Sequence, residues 1–205
     1  MYPSTPMQYN KYKTILEQVS HPQEAIVNAR NETTKSTTTL DYYNKNAKKF
    51  ITGTISVDFG IVQNRFLDKL HPGAEILDYG CGSGILAIAA AKLGAGDVHG
   101  VDIDLQAVSA AKSNAERNEV SAHFDDSAKE IKGQFDIVVA NILSNPLKAL
   151  APAICSHVRP GGLLALSGIL AEQADDLIAY YAPYVPLSIA DTRDGWVCLS
   201  GTKTS

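Results

Sequence analysis

The chain has 205 residues, 45% of them apolar, three cysteines and a net charge of −4. That length sets one domain with room for a full core and, at most, an N-terminal appendage. No run of about 18 apolar residues marks a membrane span, no apolar leader follows Met1, and no Cys or His spacing suits a metal. Cys81, Cys155 and Cys198 are odd in number and far apart, the pattern of free thiols in a reducing cytoplasm.

Residues 1–50 carry seven Lys/Arg and four Asp/Glu, and the remainder eleven and eighteen. An acidic body argues against nucleic acid as the substrate and is compatible with a basic one. Residues 1–39 read as a helical or disordered extension, and residues 40–205 as the main domain. Within the extension, residues 1–7 are Pro-rich, and Tyr9, Tyr12, Ile15, Leu16 and Val19 recur at helical spacing over Gln8 to Ser20. Pro22 breaks that helix, a short second one covers Gln23 to Arg30, and Asn31 to Thr39 is a polar linker. Leu40 to Phe50 is predicted as another short helix. Thr54 or Ser56 caps a further helix to about Leu70, and His71-Pro72-Gly73 turns the chain into the first strand.

The segment Glu75 to Ala87, EILDYGCGSGILA, carries the chemistry. A short apolar strand ends in Asp78, glycine stands at 80, 82 and 84, and an apolar helix opens behind it. Glycine lets backbone and ligand approach closely and accepts positive φ without steric cost. The helix start offers free N–H groups and the positive end of its dipole. The spacing G-x-G-x-G lacks the third glycine position of the dinucleotide fingerprint. An acid ahead of the turn would repel a pyrophosphate and suits a cationic or zwitterionic ligand. Cys81, inside the turn, reads as a small filler rather than a nucleophile. Eighteen residues beyond Gly84, Asp102 ends a second strand in VHGVDID, where an acid can accept both hydroxyls of a ribose.

From Glu75 onward strand and helix alternate, which predicts an α/β fold with a parallel sheet and helices on both faces. Strands are expected near 75–79, 98–102, 121–124, 136–140 and 163–167, and helices near 84–93, 105–118, 145–157 and 171–182. Pro152 is expected to kink the third of these helices, and Pro146 to start it. Val185 to Ala190 and Gly195 to Gly201 read as an antiparallel hairpin around Arg193-Asp194-Gly195. Two further candidates sit at carboxyl ends of strands, where open α/β sheets bind ligands. Asp125 or Asp126 can accept an exocyclic amino group, with loop solvation as the alternative. Asn141 can offer its amide oxygen to a reacting amine or to the cofactor.

The acid–glycine turn and the second acid together resemble motifs I and II of class I S-adenosylmethionine methyltransferases. More specifically, LDYGCGSGILAIAAAKLGA, GVDIDLQAVSAAKSNAERN, FDIVVANILSNPLKALAP, RPGGLLALSGILAEQADDLIAYYAP and GWVCLSGTK resemble the catalytic domain of the ribosomal protein L-eleven methyltransferase family. The resemblance runs from about Glu75 to Lys203, while residues 40–70 resemble the lead-in of other small class I methyltransferases. It implies a Rossmann-like, mostly parallel seven-stranded sheet closed by an antiparallel hairpin. It implies S-adenosylmethionine as cofactor, with Gly80, Asp102 and Asn141 in contact with it; Asp78, Cys81, Gly82, Gly84, Ile103 and Asp125 are further candidate contacts, and Asn141 is the candidate catalytic residue. In that class the segment before the first strand often folds over the cofactor, which makes Tyr42, Tyr43 and Thr52 candidate contacts as well. The implied acceptor is an amino group of a ribosomal protein. A small-molecule acceptor and a cofactor-binding module without turnover are the alternative readings.

Overall fold

The computed structural model describes residue 71 and residues 73–126 and 131–204. The helices and linker expected between residues 8 and 70, the boundary at 39/40 and the candidates Tyr42, Tyr43 and Thr52 lie outside the described residues.

The described chain runs β1 (Glu75–Tyr79), α1 (Ile85–Lys92), β2 (Asp97–Asp102), α2 (Leu105–Arg117), β3 (His123–Asp126), β4 (Phe135–Asn141), α3 (Ser144–Ser156) and β5 (Val158–Leu170). A 3-10 turn (Ala171–Gln173), α4 (Ala174–Tyr181), β6 (Ser188–Arg193) and β7 (Trp196–Thr202) complete it. The strands form one seven-stranded sheet in the order β3-β2-β1-β4-β5-β7-β6. β1 to β5 pair in parallel, and β7 pairs antiparallel with β5 and with β6.

Strand order reverses between β1 and β4. The chain first winds outward to β3, then returns to the other side of β1. Right-handed crossovers in opposite directions put their helices on opposite faces. Side-chain alternation along β1 agrees. Asp78 points toward α1, where its Oδ2 accepts from Ala87 N. Leu77 and Tyr79 join the core that holds Leu147, Ala151 and Ile154 of α3 and Leu177 and Tyr181 of α4. Buried Tyr181 is anchored there by its hydroxyl, which donates to Leu147 O at 2.7 Å.

Several boundaries differ from the sequence expectation for tertiary reasons. β3 is His123–Asp126 rather than 121–124, because His99 to Asp102 of β2 supply its pairing register. Asp125 and Asp126 therefore lie within the strand end and not in the loop after it. β5 extends far beyond 163–167. Although Arg159-Pro160-Gly161-Gly162 reads locally as a turn, Gly161 N donates to Lys203 O and Lys203 N to Gly162 O, both at 2.9 Å. The segment predicted as one helix over 171–182 opens with the 3-10 turn. α3 continues through Pro152, and Pro146 falls in its first turn, where a missing N–H costs nothing. The hairpin turns at Asp194-Gly195 with φ of 50° and 82°, the paired positive values that match strand twist in a two-residue loop.

Candidate functional site

The reversal point between β1 and β4 brings the singled-out residues to the carboxyl ends of neighbouring strands, where a crevice opens. The glycine turn leaves β1 with Gly80, Gly82 and Gly84 all at positive φ, 76°, 53° and 79°. Gly80 N and Cys81 N donate to Val101 O at 2.8 and 3.0 Å, which ties the turn to β2, and Gly84 N closes it on Cys81 O at 2.8 Å. A Cβ on Gly80 would fall 2.6 Å from Ile142 Cγ2, and one on Gly84 would meet Ala111 and Phe124 at 3.0 Å. Over Gly82 there is nothing within 4 Å. Two glycines are thus fixed by packing, and the one between them faces open space.

Asp102 holds this turn. Its Oδ2 accepts from Gly82 N at 2.8 Å and its Oδ1 from Asp104 N at 3.0 Å. Each carboxylate oxygen has a further lone pair, so both can still take a hydroxyl. Asn114 of α2 adds a brace, its Nδ2 donating to Ser83 O at 2.9 Å. Beside Asp102, Ile103 is 85% exposed, a large apolar side chain held at the mouth of the turn. Asp125 and Asp126 stand in register with Val101 and Asp102 on the adjacent strand, which places carboxylates along the same strand ends.

Asp78 is 1% exposed. Ala87 N satisfies Oδ2 at 3.1 Å, while Oδ1 is buried without a hydrogen-bond partner among the described residues. Burial raises its pKa to about 7; the Ala87 hydrogen bond counters part of that, and the nearby Asp102 carboxylate adds to it. A buried acid with one orphaned oxygen at a helix start makes the floor of the turn electronegative and unsatisfied. The Cys81 thiol is pushed to about 12, first by burial and then by the Asp78 and Asp102 carboxylates. It stays protonated at neutral pH, as a filler should.

Asn141 ends β4 in register with Ser167 of β5. A Cβ on Gly168 would lie 2.6 Å from Ile142 O and 3.1 Å from Asn141 Oδ1, so this glycine fixes how Asn141-Ile142-Leu143 leaves the sheet. Ile142 in turn packs on Gly80, which links the two candidate segments through one side chain. Gly100, where a Cβ would strike Phe124 at 2.6 Å, and Gly168 were not singled out by motif spacing. Glycine inside a strand, the mark of a close approach, was the signal available for both. Nothing local announces Asn114 or Ile142.

These features fit a cofactor with a ribose and a cationic end: an open glycine, a carboxylate with free lone pairs and a buried acid lacking a partner. Solved structures share this architecture. The chain is similar to the ribosomal protein L11 methylase from Lactobacillus delbrueckii subsp. bulgaricus, with 31% identity and a TM-score of 0.63 over 70% of this chain and 77% of that one. It shares its fold with the Thermus thermophilus 16S rRNA N2 G1207 methyltransferase in complex with AdoMet and guanosine. There the identity is 24% and the TM-score 0.59, over 72% of this chain and 44% of that one. The domain thus has the Rossmann-like fold of class I methyltransferases.

Residues 61–204 match the family described as ribosomal protein L11 methyltransferase (PrmA). The chain belongs to that family. The match begins at residue 61, ahead of the Glu75 start read from the motifs. The ribosomal protein L11 methyltransferase of Dechloromonas aromatica is 70% identical over 135 residues, covering 66% of this chain and 46% of that protein. That of Ralstonia pickettii is 60% identical over 136 residues, covering 65% and 45%. The chain spans about half the length of the curated relatives it matches.

Proposed function

We propose that this chain is a methyltransferase domain that transfers a methyl group from S-adenosylmethionine to an amino group of a protein, with a ribosomal protein as acceptor. The observation that carries the reading is the open Gly82 in the turn that leaves β1, clamped by Asp102 of β2 on one side of β1, with β4 and its terminal Asn141 on the other. Asp102 receives the ribose hydroxyls on lone pairs left free by Gly82 N and Asp104 N. Gly80, Gly82 and Gly84 let the backbone approach the ligand, with Cys81 filling the turn. Ile103 lies against the adenine ring and Asp125 accepts from its amino group. Asp78 supplies negative potential beneath the cationic end.

When bound, S-adenosylmethionine supplies a methyl group on a sulfonium, open to displacement by a neutral amine. Because charge is dispersed in that step rather than created, alignment and exclusion of water provide most of the acceleration. Asn141 offers its amide oxygen to the incoming amine and fixes its direction, and the amine's proton leaves to solvent.

The test separates holding from alignment. Asp102→Asn keeps the size of the side chain but removes one acceptor oxygen and the charge, and is expected to weaken S-adenosylmethionine binding by about 2 kcal/mol, roughly 30-fold in Kd, by calorimetry. Asn141→Ala is expected to lower methyl transfer to ribosomal protein by about 100-fold while cofactor Kd changes by less than about threefold. Unchanged cofactor affinity in the Asp102 variant would remove the site assignment. Label found only among small molecules would remove the protein acceptor.

A further inference from the structure

One stretch of the glycine turn has little packing to hold its shape. Ser83 is exposed and stands between Gly82 and Gly84, both at positive φ, 53° and 79°. A Cβ on Gly82 would meet nothing within 4 Å. Glycine has the most backbone freedom to lose on folding, so the conformation here depends on bonds that reach the turn from other elements. Two side chains make such bonds. Asp102 of β2 accepts from Gly82 N at 2.8 Å, and Asn114 of α2 donates from Nδ2 to Ser83 O at 2.9 Å.

The two clamps differ in what else they do. Asp102 is also the ribose acid of the proposed function, whereas the Asn114 amide is bonded to the turn. Nor does α2 need that amide for its own integrity. Asp104 caps its start, accepting from Gln106 N at 2.8 Å, and Asn118 Nδ2 donates to Asn114 O at 2.9 Å near its end. Val108, Ala111 and Ala115 bury its inner face. Asn114 lies three residues beyond Ala111, on the same side of the helix, and a Cβ on Gly84 would come 3.0 Å from Ala111 Cβ. Packing at Ala111 thus brings α2 to the turn, and the Asn114 amide gives the contact its direction. A Ser83 carbonyl engaged by α2 cannot swing over Gly82, where the negative end of its dipole would meet an incoming carboxylate.

We propose that Asn114 is a positioning residue for the cofactor: through Ser83 O it sets the turn that meets the amino-acid end of S-adenosylmethionine, and so distinguishes the whole cofactor from a nucleoside that lacks that end. The inference rests on the proposed function and deepens it. Asp102 holds the ribose from β2, and Asn114 prepares the backbone for the rest of the molecule from α2. A ligand with a ribose but no amino-acid end gains nothing from the prepared turn.

Asn114→Leu removes the donor, adds no charge and keeps a strong helix former, while Asn114→Gln keeps an amide donor on a longer stem. Calorimetry on the full chain compares S-adenosylmethionine with 5′-methylthioadenosine, which has the adenine, ribose and sulfur but no amino-acid end. Asn114→Leu is expected to weaken S-adenosylmethionine about fivefold, the worth of one hydrogen bond, and 5′-methylthioadenosine less than about twofold. Asn114→Gln should bind both ligands within about twofold of the parent. In the cofactor-free chain, amide hydrogen exchange over residues 80–86 should quicken in Asn114→Leu while that of β4 and β5 stays as in the parent. Equal losses for the two ligands, no loss for either, an Asn114→Gln chain as weak as Asn114→Leu, or unchanged exchange in the turn would each overturn the positioning role and leave the proposed function standing. Failure of the unaltered chain to bind S-adenosylmethionine would instead overturn the reading beneath it.

Discussion

Two buried aspartates, one at each end of the sheet, divide the molecule's work between them. Asp136, near the amino end of β4, is 6% exposed and has its charge matched: Oδ2 accepts from Glu75 N at 2.8 Å, and Oδ1, although it makes no hydrogen bond among the described residues, is ion-paired with the Arg159 guanidinium and lies 3.3 Å from His71 Nε2. Asp78, at the carboxyl end of β1, is as deeply buried, and its Oδ1 has neither a hydrogen bond nor a cation within ion-pair distance among the described residues. Other groups at the amino end are matched in the same way. Lys203 Nζ donates to Cys155 O and Val158 O, both at 2.9 Å, and so completes the end of α3, and Asp97 stands between His99 and His123. At the carboxyl end lie the glycine turn with its open Gly82 and the exposed Ile103 and Leu143. One end of the sheet satisfies itself, and the other is left to be satisfied by a ligand. Buried polar groups cost free energy unless they are paired, so an unpaired one marks where the fold gives up stability for binding.

The largest effect should come from removing the unmatched charge. Because the folded pKa of Asp78 is raised to about 7, the native state holds its proton more tightly than the unfolded chain. The stability tied to that proton is full below the unfolded value of about 4 and is lost as pH rises to about 7. Asp78→Asn mimics the protonated acid. It is expected to be more stable than the parent at pH 8 by on the order of 3 kcal/mol, with a flat stability profile from pH 4 to 7 in urea unfolding and weaker cofactor binding. A variant less stable than the parent at pH 8 would erase the contrast between the two aspartates.

The opposite result is expected at the other end. Asp136→Asn removes the charge facing Arg159, whose guanidinium is half exposed and so partly rehydrated. The expected loss is about 2 kcal/mol in urea unfolding, with cofactor affinity unchanged. Lys203→Met keeps the stem and deletes the cation at the end of α3. It should cost about 1 kcal/mol and leave methyl transfer as it was. If either change altered cofactor Kd more than about threefold, the two ends would not be independent, since distant sites with no shared partners add.

Much of this was legible in the chain, and what was not has a common cause. Asp78, the alternating glycines and Asp102 could be read as a ligand turn because their relation is local: a strand, a tight bend and a helix follow one another within a few residues. The strand–helix alternation and the Asp194-Gly195 turn were legible for the same reason. β3 was misplaced toward residue 121 because HFDD is no stronger as a strand than the residues before it, and only the edge of β2 selects it. The length of β5 was missed because Pro160-Gly161-Gly162 reads as a turn until Lys203 bonds across to it.

By itself the sequence determined the α/β class, the carboxyl-end location of the turn and the residue types that can meet a ribose and a cationic group. Hydrophobic period and turn chemistry act over a few residues and need no partner. Only the tertiary structure decided that Asp102 both clamps Gly82 and keeps lone pairs for hydroxyls, that Asp78 is sealed with one oxygen unmatched, and that Ile142 joins the glycine turn to Asn141. It also brought Leu143, just ahead of α3, and Trp196 of β7 to the lining of one pocket. Each of these depends on which strand lies next to which, and that is fixed by burying one shared core rather than by any local preference.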